Sequence, residues 1–232
     1  MAQSIGEISR LTVAHLSRDK LLSMPSEDLI RVFRGEYPNH SFDSSDYPDS
    51  SICDLSVGDG RNYVYLNRLG FRTVQGTEIT RAMADLAVTK IAENGIDTKI
   101  HVGTNLSTPF NNGEFQFLVS WNSCYYVENV GDFPQHIAEF SRILGLGGYL
   151  ILSIPMLSHR VLKDCQYLGG GYSVVRDDPS NTRNGAVWRT FRSADEIVEA
   201  LSPTFSDFRI ATISDDMFGW AYHHYIVVCK KA

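Results

Sequence analysis

The stretch Ser51-Ile-Cys-Asp-Leu-Ser-Val-Gly-Asp-Gly-Arg-Asn62, followed after an amphipathic segment by Thr73-Val-Gln-Gly-Thr-Glu78, decides the fold of this chain. It reads as a strand, a glycine-containing turn, a helix, and a second strand ending in a carboxylate. Gly58 and Gly60 let backbone approach a ligand closely, and the helix that follows offers free N–H groups at its N-terminus. Glu78, at the carboxyl end of the second strand, is placed to take two vicinal ribose hydroxyls. A dinucleotide site wants Gly-x-Gly-x-x-Gly with a diphosphate over the helix N-terminus. Here Ser56 and Tyr63 stand at the outer glycine positions, and Asp54 puts a carboxylate beside the turn. That charge opposes a diphosphate and suits an ammonium group, which disfavours a nicotinamide oxidoreductase.

The stretch resembles motif I of the class I S-adenosylmethionine-dependent methyltransferases, small-molecule type. The family pattern is an acid at the strand end, Gly-x-Gly-x-Gly, and an acid after the next strand. Asp54, Gly58, Gly60 and Glu78 match it in order and approximate spacing. Ser56 departs from it, standing where the first glycine usually does, and is small enough to keep the close approach. The resemblance implies an α/β, doubly wound, seven-stranded and mostly parallel sheet with an antiparallel last strand. It also implies S-adenosyl-L-methionine as cofactor, with contacts from Asp54, Ser56, Gly58, Gly60, Asn62, Glu78 and Ile79.

Outward from this stretch, strand and helix patterns alternate. Strands are expected near 52–55, 73–77, 98–102, 115–120 and 149–154, and helices near 61–69, 80–94 and 133–144, with Gly70 and Gly95 as C-terminal stops. That alternation means a parallel, doubly wound sheet. Upstream, apolar residues recur at helical spacing from about Ile5 to Arg34, with a helix start at Pro25-Ser26-Glu27-Asp28. Ser193-Ala-Asp-Glu196 is a capping box for a further helix. Two last strands, near 207–213 and 222–229, are joined through Asp215, Asp216 and Gly219. This terminal pair also resembles the family fold, whose seventh strand inserts antiparallel between the fifth and sixth. One domain is expected: a helical cap over 1–50, a cofactor-binding half over 51–155, a lid insertion over 156–192, and a helix with a strand pair over 193–232.

Asn105-Leu106 follows the third strand, where the family often has Asp and an apolar residue; the amide can accept from the adenine amino group and Leu106 can pack on the ring. Ser120-Trp121-Asn-Ser-Cys-Tyr125-Tyr126 follows the fourth strand, and aromatic faces there favour a sulfonium charge. The [Asn/Asp/Ser]-Pro-Pro-[Tyr/Phe] sequence of nucleic-acid amino-methyltransferases is absent from this place. Tyr125 aligns with a position often His in small-molecule members, and it is taken as catalytic together with His159, a general base on the loop after the fifth strand. Leu144-Gly-Leu-Gly-Gly148 reads as a tight turn into that strand. His136 sits in a helical pattern as a structural residue, and the adjacent His223 and His224 face opposite sides of a strand. The Gln166–Arg192 loop holds Arg183, Arg189 and a hinge-like Gly169-Gly170-Gly171, and with the N-terminal helices, Tyr126 and Arg160 it is assigned to the acceptor.

At 232 residues, 43% hydrophobic and 21% charged, the chain has the size and make-up of one ordinary globular domain. No apolar run approaches the roughly 18 residues of a membrane span. Cys53, Cys124, Cys165 and Cys229 are dispersed without a metal-binding pattern, and the expectation is a reducing cytoplasm, no metal and no membrane. A net charge of −6 lowers the case for a nucleic-acid partner. The leading reading is O- or N-methylation of a small-molecule acceptor by a monomer or homodimer. The alternatives are a non-catalytic cofactor-binding regulator or partner subunit, and methylation of RNA or protein.

Overall fold

The computed structural model describes residues 5–17 and 24–232. In chain order its elements are α1 (Ile5–Leu16), α2 (Glu27–Arg34), β1 (Ser51–Leu55), α3 (Arg61–Arg68), β2 (Thr73–Glu78), α4 (Arg81–Ala92), β3 (His101–Val102), β4 (Phe115–Ser120) and β5 (Tyr126–Val127). They continue with α5 (Phe133–Ile143), β6 (Leu144–Pro155), β7 (Gln166–Gly169), β8 (Tyr172–Val174), β9 (Val187–Arg189), α6 (Ala194–Leu201), β10 (Phe205–Met217) and β11 (Trp220–Lys231).

Among the described residues, seven strands form the main sheet in the order β10-β11-β6-β4-β1-β2-β3. The pairs from β3 across to β6 are parallel, while β11 runs antiparallel to both β6 and β10. The last strand therefore inserts between the fifth and sixth of this sheet, as expected from the terminal strand pair. All of β1 is buried, because both faces of the sheet are covered. Alternate residues feed opposite layers: Ile52 and Phe117 point to a cluster with Leu29 and Phe33 of α2, while Cys53 and Leu118 join one with Phe140 of α5. A side chain the size of Phe117, fully buried, contributes roughly 1.5–3 kcal/mol. The helical cap is thus part of the core through α2; residues 18–23 of the expected helical stretch lie outside the described residues.

Three local expectations are revised. Asp215 and Asp216 are not in a connection but pair across the ladder with Tyr222 and Ala221, and the turn is Phe218-Gly219, at φ 50 and 85. Two successive positive φ values make a hairpin turn whose twist suits long strands. The Gly169-Gly170-Gly171 run is the turn of the β7–β8 hairpin, all three at positive φ, rather than a hinge at the base of the insertion. Within the capping box, Ser193 Oγ accepts from Glu196 N, but the Glu196 carboxylate reaches back to the Arg192 N–H.

The insertion also carries a second sheet, in the order β5-β9-β8-β7. Its first strand comes from the segment after β4, so Tyr126 pairs with Trp188 and Val127 with Val187.

Candidate functional site

A cavity of about 600 Å³ opens along the carboxyl ends of β2, β1 and β4. Its floor is the β1–α3 turn, its roof is the segment from Thr182 to Val187, and Thr12 and Leu16 of α1 close one side. A hydroxyl contact of 2.6 Å between Ser9 and Thr80 seats α1 on the start of α4.

The turn is built by unusual backbone. Ser56, Gly58 and Gly60 all have positive φ, at 62, 65 and 84. A Cβ added to Gly58 meets no protein atom within 4 Å and would project into open space, whereas one on Gly60 would strike Ile91 at 2.5 Å. Gly58 therefore faces the cavity and Gly60 serves the packing of α3 on α4. Ser56 keeps the left-handed conformation of the glycine it replaces, at a cost of roughly 1–2 kcal/mol.

Glu78 holds the turn from the other strand. Its Oε1 accepts from the Gly58 amide at 2.5 Å and its Oε2 from the Ile79 amide at 3.2 Å. Each oxygen keeps a second lone pair for a ligand hydroxyl. Burial raises this carboxyl to about 7, against the opposing pull of the two amides. Behind it, burial and then the charges of Glu78 and Asp59 raise Asp54 to about 8. Asp54 is 2% exposed and lies off the cavity wall, its Oδ2 without a partner among the described residues.

The structure brings Ser56, Gly58, Asn62, Glu78, Ile79, Asn105, Trp121, Tyr126 and Arg183 to one cavity. Asn62 also accepts from Ser26 N at 3.0 Å, which ties the start of α2 to the turn. Arg183 is positioned by the buried Asp178, whose carboxylate takes its Nη1 at 3.1 Å and the backbone N–H groups of Ser180, Thr182 and Arg183.

The remaining expected residues lie outside the lining. Ser120 is buried against the Ser123 hydroxyl at 2.7 Å, Leu106 sits beside the cavity but off its wall, and Tyr125 stacks behind Tyr126 at 5.1 Å. His159 turns inward: its Nδ1 accepts from Val161 N at 3.1 Å to cap a short 3-10 helix, and its ring meets that of His224 at 4.8 Å. Burial, then Arg183 and His223, bring it down to about 4, so it is a poor proton acceptor at neutral pH. Arg160 is spent on Asp177 at 2.9 Å. Arg189 stacks 4.0 Å over Phe191 and donates to the Gly171 and Thr190 carbonyls.

The sequence reading placed the N-terminal helices at the site, and α1 does line the cavity, but it missed His136, which is 1% exposed yet part of the lining. Apolar spacing marks a helix face as inward, and it does not tell a core from a cavity wall. Among the described residues, no group of three or more His, Cys, Asp or Glu could hold a metal, and no helix is long and apolar enough to cross a membrane.

The cavity fits an aminoacyl-type nucleoside in its donor set: a carboxylate with open lone pairs at one strand end, and a glycine cradle that a Cβ would fill. Residues 52–148 match the methyltransferase domain family model. Among solved structures, a SAM-dependent methyltransferase from Methanosarcina mazei is similar at TM-score 0.64 and 21% identity, over 84% of this chain and 98% of that one. A protein from Pyrococcus horikoshii is similar at TM-score 0.62 and 16% identity, over 99% and 93%. A SAM-dependent methyltransferase from Thermotoga maritima, described as a possible histamine N-methyltransferase, follows at TM-score 0.56 and 19% identity, over 80% and 84%. At these identities the likeness is one of fold. No curated protein matches the chain in sequence.

Proposed function

We propose that the chain is a class I S-adenosylmethionine-dependent methyltransferase, and that it methylates a small-molecule acceptor at O or N. The observation that carries this reading is the size of the cavity: at about 600 Å³, partly covered by the insertion and flanked by α1, it has the dimensions of a small-ligand site, roughly 300–1,000 Å³. A polynucleotide would need an open, basic groove, and the chain carries a net charge of −6.

In this reading Glu78 takes the ribose hydroxyls, the Ser56–Gly58 turn cradles the amino-acid part of the cofactor, and Asn105 faces the adenine. Tyr126 and Arg183, whose side chains are hydrogen-bonded to each other, belong to the acceptor, the guanidinium offering its charge to an anionic or polar group. Asp54 acts through the turn, as a buried carboxyl beneath it. S-adenosylmethionine supplies an electrophilic methyl on a sulfonium, so the protein's tasks are alignment and exclusion of water. The insertion over 156–192 serves as the cover that excludes that water.

A test is incubation of a cell extract with methyl-labelled cofactor, followed by separation into small molecules, RNA and protein. Label in the small-molecule fraction is expected. Label confined to RNA or protein would overturn the acceptor class, and cofactor binding without label anywhere would favour the regulator.

A further inference from the structure

We propose that His136 reads the purine of the cofactor, accepting a hydrogen bond from the adenine amino group through Nε2. The inference rests on the cavity being the cofactor site.

The tautomer follows from the neighbour of the other ring nitrogen. His136 Nδ1 lies 3.1 Å from the Cys124 carbonyl oxygen. A carbonyl only accepts, so Nδ1 carries the proton and Nε2 is left with a lone pair. That lone pair has no partner among the described residues, and Nε2 is not among the polar atoms sealed from solvent. The small surface that His136 retains is thus on the cavity side, at the accepting nitrogen. Burial lowers the imidazole from its ordinary range, which keeps the ring neutral and the lone pair available at pH 7.

Its place in the fold points to the base rather than the acceptor. Asn105 donates its Nδ2 to the Ser123 carbonyl at 3.1 Å, one residue before the carbonyl that holds His136. Consecutive carbonyls therefore anchor both side chains, leaving Asn105 Oδ1 and His136 Nε2 as an edge that only accepts. Both residues share the lining of one cavity with Glu78, which registers with Val102 three residues before Asn105. A base attached to a ribose on Glu78 meets that edge. An exocyclic amine brings two hydrogens to such an edge, whereas the carbonyl oxygen of hypoxanthine would face two acceptors with nothing to share.

The test needs no turnover. Calorimetry compares S-adenosylhomocysteine with S-inosylhomocysteine, in which a carbonyl replaces the amine, for the wild type and for His136→Leu. The wild type should prefer the adenosyl compound by about 100-fold, and the variant should keep about tenfold, the share left to Asn105. If His136 only packs, the variant weakens both compounds equally and the ratio stays, which overturns the proposal. If neither compound binds the wild type, it is the cofactor site itself that fails. Long-range ¹H–¹⁵N spectra of the wild-type ring give a readout independent of any variant's folding. A proton on Nδ1 is expected, and a proton on Nε2 would overturn the reading.

Discussion

Glu78 Oε1 lies 2.5 Å from the amide nitrogen of Gly58, so the carboxylate that ends the second strand is tied to the turn that follows the first. One residue thereby has two tasks, to shape the cradle and to present lone pairs to what lies in it. Replacing Glu78 by Ala should cost on the order of 2–4 kcal/mol of cofactor affinity, from two charge-assisted bonds of roughly 1.5–3 each less solvent compensation. Calorimetry with S-adenosylmethionine and S-adenosylhomocysteine measures it, with a melting curve to check the fold. Unchanged affinity would remove Glu78 from the ribose.

Ser56 pays a backbone cost that glycine avoids, at φ 62. Ser56→Gly should therefore raise stability by a few tenths to about 1 kcal/mol, the gain in strain being partly offset by glycine's entropy. For a chain of this length the melting temperature should rise by roughly 1–4 °C. A fall in melting temperature would show that the Ser56 side chain holds the turn in a way its hydrogen bonds do not reveal.

The ligand-free protein should lose stability as pH rises from about 6.5 to 8. Asp54 and Glu78 stand at about 8 and about 7, above their ordinary 3.8 and 4.5. A carboxyl raised on folding gives stability that is full below its unfolded value and is lost as pH climbs through its folded one. His159 and His224, brought down to about 4 and about 3, work the other way and oppose this trend only below about 6.5. Chemical denaturation at a series of pH values tests it, and Asp54→Asn should flatten the fall. A stability curve that rises between pH 6.5 and 8 would contradict the assignment.

Arg183 and Arg189 should behave differently although the same loop carries both. Arg183→Met should raise the KM for the acceptor about tenfold or more, as one charge-assisted bond of roughly 1.5–3 kcal/mol is lost. Cofactor affinity should stay within about a factor of two, near 0.4 kcal/mol. Arg189→Met should lower the melting temperature and leave both ligands alone, since its guanidinium is spent on Phe191 and two carbonyls. Equal loss of cofactor binding in the Arg183 variant would sink its place on the acceptor side.

The main sheet was legible because its signals are local: acids and glycines at fixed offsets around Asp54 to Glu78, and apolar runs of strand length between helical patterns. What escaped was decided by pairing across distance. β5 is two residues long, and nothing in Tyr126-Val127 alone announces a partner some sixty residues away. His159 was placed on the right loop, but a backbone N–H two residues on claimed its ring. The arginines were visible as charge, while which partner takes each one, Asp178, Asp177 or Phe191, is decided by how the loop folds.

The pairing of β5 with β9 sews the roof of the cavity to the segment that follows β4. Lifting the roof would break that ladder, the bond from Arg189 N to the Tyr125 carbonyl, and the edge-on packing of Trp188 against the stacked Tyr125 and Tyr126. On the opposite side α1 lines the cavity with Thr12 and Leu16 and meets the start of α4 through the Ser9–Thr80 hydroxyl contact. The cover over the cavity is therefore a fixed seam, and cofactor should enter and leave with that seam shut.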